Sequence, residues 1–180
     1  MKKGLILILM AALMVACGGE EKAENNAQQE LLDKIEMLHN RVDEAGDEAL
    51  VSDQHELMLS YQEFGNTYGD HPQAAEYYFK AAEIAYGMRK FEHAVTLFTK
   101  VFEGYPEFDK RATSLFFIAF IHENFLHQNK QAIAYYEQVI EEFPESQEAK
   151  DAMAIIPLIG LSEEELIKLF EEKNKTADAE

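Results

Sequence analysis

The sequence predicts an all-α protein, a short solenoid of helical hairpins closed by a C-terminal capping helix, and three observations carry that expectation. His71-Pro72, Tyr105-Pro106 and Phe143-Pro144 recur at intervals of 34 and 38 residues, and self-similarity at such a period marks helix-turn-helix repeats. Each proline is preceded at fixed offsets by the same residue classes: small at Ser60, Ala94 and Ala132, aromatic at Phe64, Phe98 and Tyr136, then Thr67, Val101 and Val139. These offsets lay one stripe along a helix ending near the proline, with small residues where a neighbouring backbone comes close. No Val/Thr-rich alternating run supports a sheet.

The elements follow in chain order. Lys2-Lys3 and the apolar run from Gly4 to Ala16 have the form of a secretory signal peptide. The run is thirteen residues long. At ~1.5 Å per residue it reaches only ~20 Å, short of the ~30 Å of a hydrocarbon core. Residues 17–27 are polar after Cys17 and form a tether without a core. Residues 28–45, with Leu31, Ile35, Leu38 and Val42, read as a first helix; Gly46 marks a turn. Residues 47–69, through Leu50, Leu57, Tyr61 and Phe64, read as its partner. Two hairpins follow at 75–108 and 112–144, their first helices carrying Tyr78, Ala81, Ala82 and Ala85, and Leu115, Ile118, Ala119 and His122, at helical spacing. Gln147 to Ile156 is a short helix stopped near Pro157. Ser162-Glu163-Glu164-Glu165 is a capping box. Leu166, Ile167, Leu169 and Phe170 then supply the face that covers the open end of the stack, as a solenoid requires. Residues 175–180 should fray.

Composition narrows the function. The 180 residues hold 16 basic and 34 acidic side chains; loss of Lys2 and Lys3 with a leader takes the balance to −20. Such a surface repels nucleic acid and anionic membranes. The bias is uneven: net −11 over residues 18–70 and −5 over 71–160. The single cysteine has no partner for a disulfide within the chain. No phosphate-binding glycine loop, nucleophile elbow or zinc-type histidine pair is present. His39, His55, His71, His93, His122 and His127 are scattered; His122 and His127, five apart, point in different directions around a helix. His71, before a proline, reads as a local hydrogen-bonding residue. The expectation is a protein that is no enzyme, with no cofactor and no metal.

Two resemblances sharpen this. Met14-Val15-Ala16-Cys17 resembles the lipobox of bacterial lipoproteins, with Met14 in place of the usual leucine. The resemblance implies lipidation of Cys17, which becomes the new N-terminus and carries three acyl chains. Gly18, rather than aspartate, implies release from the inner membrane. The acidic residues beyond it resemble surface-export signals. The hairpins resemble the tetratricopeptide repeat: Tyr78, Ala82, Phe91, Ala94, Phe98 and Pro106 fall at consensus positions in 75–108, and Ala119, Ala132, Tyr136 and Pro144 in 112–144. The second unit has three extra residues before its first helix and one in its turn. Ala85 and His122 replace the usual tyrosine. Resemblance implies a right-handed α-solenoid with residues 28–72 as a degenerate repeat. In architecture the chain is similar to the repeat lipoprotein of the outer-membrane β-barrel assembly machine and to the periplasmic repeat protein coupled to cell-division complexes. It is shorter than the first and lacks motifs that would assign it to either.

In that family the first helix of each repeat lines a concave groove. Carried over, the positions are Glu76, Phe79, Glu83, Tyr86 and Gly87, then Thr113, Phe116, Phe120, Glu123 and Asn124. The resulting aromatic strip with flanking carboxylates is what peptide or helix recognition uses. It has a second reading, packing against adjoining helices, with residues 28–45 or 147–172 filling the groove. The expected role is a protein-protein adaptor in the bacterial envelope, most simply at the outer membrane, facing the periplasm or the surface. The alternative is structural: Leu31 and Leu38 repeat at seven with Ile35 and Val42 beside them, the interval of a coiled-coil seam. The seam spans barely two heptads. Packing of 28–45 onto 47–69 is preferred, and with it a monomer.

Overall fold

The computed structural model describes the backbone of residues 3–177; the side chains of residues 1–22, 24, 47, 170 and 172–180 lie outside the description. Cys17 and Phe170 therefore belong to the described residues by backbone only. Among the described residues there is helix and no strand: α1 (Lys3–Ala45), α2 (Val51–Thr67), α3 (Ala74–Gly87), α4 (Phe91–Gly104), α5 (Arg111–Asn124), α6 (Asn129–Glu142), α7 (Gln147–Ile155) and α8 (Glu163–Ala177), with 3₁₀ turns at Gly46–Glu48 and Ile156–Leu158. The described residues are thus all-α, as the repeat spacing predicts. Among the described residues no helix is long and apolar enough to cross a membrane.

Contacts divide the chain into two compact units, with the boundary inside α3 between Ile84 and Ala85. In the first, α1 packs on α2. Ile35 and Leu38 are buried beside Leu57, Met58, Tyr61 and Phe64, so the apolar seam of residues 31–42 is used within the chain, and Leu31 and Val42 are half-buried at its margins. Lys34–Glu56 at 3.1 Å and Arg41–Asp53 at 3.3 Å cross the same pair of helices. Gly46 turns the chain with a φ of +52°. Where a tether was expected at residues 17–27, α1 continues as helix. Ala23, Asn25, Asn26 and Ala27 are exposed, so local propensity alone accounts for the helix there.

Two expectations for α2 need correction. Leu50 precedes the helix as its N-cap and is 65% exposed. Thr67, expected on the buried stripe with Val101 and Val139, is exposed. Helix α2 ends at Thr67, five residues before its proline, whereas α4 and α6 end two before theirs; the stripe has run out by that point.

The second unit repeats the hairpin as α4–α5, α5–α6 and α6–α7 neighbours. Ala94, Phe98 and Val101 on α4, and Ala132, Tyr136 and Val139 on α6, are all fully buried, so this stripe lies where the spacing predicts. Phe98 stacks on Phe117 at 5.2 Å. Ala119, Ala132, Tyr136 and Ala152 form a core against which Phe116, Tyr135, Ile140, Ile155, Ile156 and Ile159 pack. Arg111 closes the ends of the hairpins: its Nε donates to the Phe102 carbonyl at 2.9 Å, Nη2 reaches Glu142 at 2.9 Å, and the guanidinium lies over Phe102 and Phe143. The capping box forms as expected: the Ser162 amide and hydroxyl donate to Glu165 Oε2 at 2.8 and 2.7 Å, and the Glu165 amide returns to the hydroxyl at 3.3 Å. These bonds hold the Glu165 carboxyl below the usual carboxylate range. Ser146 caps α7 through the Ala149 amide. On α8, Leu166 and Leu169 are half-buried but Ile167 is 52% exposed; the apolar face is narrower than expected, because Ile167 lies off the 166/169 stripe. Helix α8 carries the backbone as far as Ala177.

A Cβ at Gly65 would lie 2.6 Å from the Tyr78 ring, whose hydroxyl donates to Asn66 Oδ1 at 2.7 Å. Gly65→Ala should therefore cost about 1–3 kcal/mol by overpacking, read as a lower denaturant midpoint at unchanged slope. Conversely, His127 is exposed with a φ of +54° in the turn between α5 and α6. His127→Gly should raise stability by roughly 0.5–1 kcal/mol, since a left-handed side chain is strained and glycine is not.

Candidate partner-binding surfaces

The residues carried over as a groove divide between the two units. In the first, Phe79 is 4% exposed; it is a core side chain and offers no surface to a partner. Glu76 and Glu83 instead border two adjoining clefts between α1 and α3. One, of about 360 Å³, is lined by Leu32, Ile35, Glu36, His39, Tyr61, Gln73, Glu76, Tyr77 and Lys80. The other, of about 190 Å³, is lined by His39, Val42, Asp43, Leu57, Tyr61, Lys80, Glu83 and Ile84. The open face of α3 in this unit thus runs through residues 76, 80 and 83, with Lys80 where Phe79 was expected.

Tyr61 of α2 forms the floor common to both clefts. Its ring stacks on Tyr77 at 4.9 Å and 29°, and its hydroxyl meets His39 Nδ1 at 3.2 Å. His39 Nε2 in turn lies 3.3 Å from Asp43. Lys80 Nζ sits 5.9 Å from the Tyr61 ring centre. Burial pushes the Tyr61 phenol well above its ordinary range, with Tyr77, Asp43 and Glu76 adding to the rise. Burial and the nearby Glu36 raise Tyr77 as well. Both hydroxyls are therefore neutral at any physiological pH. Sequence reasoning placed Tyr61 on a core stripe and did not single out Tyr77 or Lys80. The available signal was Tyr77-Tyr78: adjacent aromatics about 100° apart on a helix serve two faces, Tyr78 against Gly65 and Tyr77 towards the cleft.

In the second unit Phe116, Phe120 and Glu123 face other helices of the same unit. Phe116 packs edge-on to Tyr136 at 5.3 Å in the core that α7 and the Ile156–Leu158 turn cover. The packing reading therefore holds for it, and part of 147–172 fills the space. Phe120 and Tyr86 belong to a half-buried cluster with Phe91, Phe117 and Phe125, in which Phe91 and Phe125 stack at 4.1 Å. Glu123 accepts the Tyr136 hydroxyl at 2.9 Å, and Thr113 donates to Glu148 at 2.6 Å. Asn124 is exposed, its side-chain amide donating to the Phe120 carbonyl of its own helix; Gly87 is exposed too. His122 stacks on Tyr135 at 5.2 Å and bonds Gln128 at 2.7 Å. Among the described residues no group of three His, Cys, Asp or Glu side chains is placed to hold a metal ion. His71 Nδ1 accepts the Gln73 amide at 3.2 Å, the local bond expected of it.

The tetratricopeptide-repeat family model matches residues 114–146, most of α5, all of α6 and the turn that follows, so this part of the chain is similar to a unit of that repeat. No curated protein matches the sequence. Repeats of this kind generally bind protein partners and serve as non-enzymatic scaffolds.

Burial and the Glu123 hydrogen bond push the Tyr136 phenol far above its ordinary value. An acid whose folded pKa is raised contributes stability that is complete below its unfolded pKa and is lost as pH climbs beyond it. Stability should thus stay level through neutral pH on account of this group and fall above about pH 10. Tyr136→Phe should cost about 1 kcal/mol at pH 7 through the lost bond and flatten the alkaline fall, both seen in denaturation midpoints measured across pH.

Proposed function

We propose that this chain is a lipid-anchored adaptor of the bacterial envelope, its hairpins binding another protein while acyl chains on Cys17 hold it to a membrane. The observation that carries the binding role is the tetratricopeptide-like unit at 114–146, packed as a hairpin with α7 on its flank. The anchor rests on the sequence: Met14-Val15-Ala16-Cys17 resembles a lipobox behind a short apolar run. At ~0.8 kcal/mol per buried methylene, several acyl chains hold firmly where one holds marginally. Gly18 supports the outer membrane. The architectural likeness to the repeat lipoproteins of barrel assembly and cell division suggests an assembly scaffold. Phe79 is not an anchor for the partner; the exposed positions Glu83 and Asn124 are better placed to report on one.

Two measurements test this. Cys17→Ser should move the protein from the membrane fraction to the soluble fraction, and the mature wild-type N-terminus should be the modified Cys17; an unlipidated mature protein still found in the pellet would refute the anchor. A photo-crosslinking residue at Glu83 or at Asn124 should trap one specific envelope protein in intact cells. Trapping nothing from either position would count against the adaptor role.

A further inference from the structure

The clefts of the first unit form one furrow, since they share His39, Tyr61 and Lys80. It runs along α1 from Leu32 to Asp43 and, on the other side, from Gln73 just before α3 to Ile84 within it. Four carboxylates border it, Glu36 and Asp43 from α1 and Glu76 and Glu83 from α3, against Lys80 and His39. Its floor is the Tyr61–Tyr77 stack. Tyr77 is 9% exposed, and its ring packs against Tyr61 and Phe64. Among the described residues its hydroxyl makes no hydrogen bond, and it is not one of the buried unpaired atoms, so it is open to the furrow and free to accept from an incoming donor. One cation already lies near this floor: the Lys80 ammonium, 5.9 Å from the Tyr61 ring centre.

We propose that this furrow receives a basic segment of a protein partner. An arginine or lysine side chain enters between α1 and α3 and lies against the tyrosine stack. Its N–H groups donate to the Tyr77 hydroxyl and the bordering carboxylates. An aromatic face attracts a cation and more so a planar guanidinium. The neutral Tyr77 hydroxyl offers oxygen lone pairs to such a donor. An acidic segment would meet four like charges, and an apolar one would strip water from them without return. The strongly negative balance of residues 18–70 steers basic segments toward this unit. The proposal rests on the adaptor reading only in taking the occupant to be part of a protein.

The probe is a fluorescein-labelled hexapeptide of alternating arginine and glycine, titrated by anisotropy against the full-length chain in neutral detergent. Saturable binding is expected, with the glutamate-glycine counterpart failing to bind. Tyr77→Phe keeps the ring stack and removes only the hydroxyl; it should weaken binding at least about threefold while leaving the melting temperature within a few degrees of wild type. Glu36→Gln should weaken binding similarly, and Lys80→Met, which removes the resident cation's charge, should tighten it. Glu137→Gln removes the same charge from an exposed site on α6 and should change affinity less than about twofold. Equal losses from Glu36→Gln and Glu137→Gln, unchanged affinity in Tyr77→Phe, or an isotherm that never saturates would overturn the proposal. A partner trapped at Glu83 without peptide binding removes this inference and leaves the adaptor standing; peptide binding with no trapped partner does the reverse.

Discussion

Close approach of neighbouring helices, made possible by small residues and filled by single aromatic rings, is the constraint on which the structure depends. At Gly65 the spacing is such that even a methyl group would collide with Tyr78. Around Tyr136 the same arrangement recurs with Ala119, Ala132 and Ala152, all fully buried. Interiors are packed like organic crystals, so a ring seated among small residues fixes both the distance and the register of the helices it joins. Each hairpin buries its apolar side only against the next. That is why the small-aromatic stripe must reappear every 34 to 38 residues.

Polar groups finish what the rings begin. Arg111 is held by one carbonyl, one carboxylate and two aromatic faces, so its charge is satisfied where it is three-quarters covered. Guanidinium stacking and charge-assisted bonds of this kind add stability beyond that of a solvent-exposed pair. Tyr136 spans from the core to Glu123, and Tyr61 from the core to His39. In both cases an aromatic body lies inside and a hydroxyl reaches a titratable partner at the edge. Burial raises these phenols further above their ordinary range, and among the described residues no carboxylate side chain is buried.

The same packing rule explains the furrow of the first unit. Helix α2 lies behind α1, and α1 and α3 both border the opening above Tyr61. Two helices flanking a third leave a groove whose depth depends on the side chain at its floor. A tyrosine pair forms the floor, with Lys80 over the Tyr61 ring and His39 bonded to its hydroxyl at the rim. In the second unit the corresponding face of α5 is covered by its own chain: Phe116 shares a core with Ile155, Ile156 and Ile159.

The sequence by itself determined the helices from residue 28 onward, their order, the buried stripe of α4 and α6, the turn at Gly46 and the capping box at Ser162, because each depends on neighbours within a few residues or on a fixed repeat length; the helix through residues 17–27 was not among them. Periodicity went astray at the two ends of α2, which starts after Leu50 and stops at Thr67. It also went astray in choosing the open face of α3, where a rotation of one residue exchanged Phe79 for Lys80. A helix has no intrinsic outside: which side of α3 meets solvent is decided by what packs against it, and adjacent Tyr77, Tyr78 and Phe79 are all aromatic, so sequence alone does not rank them for burial. Only the tertiary structure assigned Tyr78 to Gly65, Phe79 to the core and Tyr77 to a furrow, since burial is a property of the assembled neighbours and not of the residue.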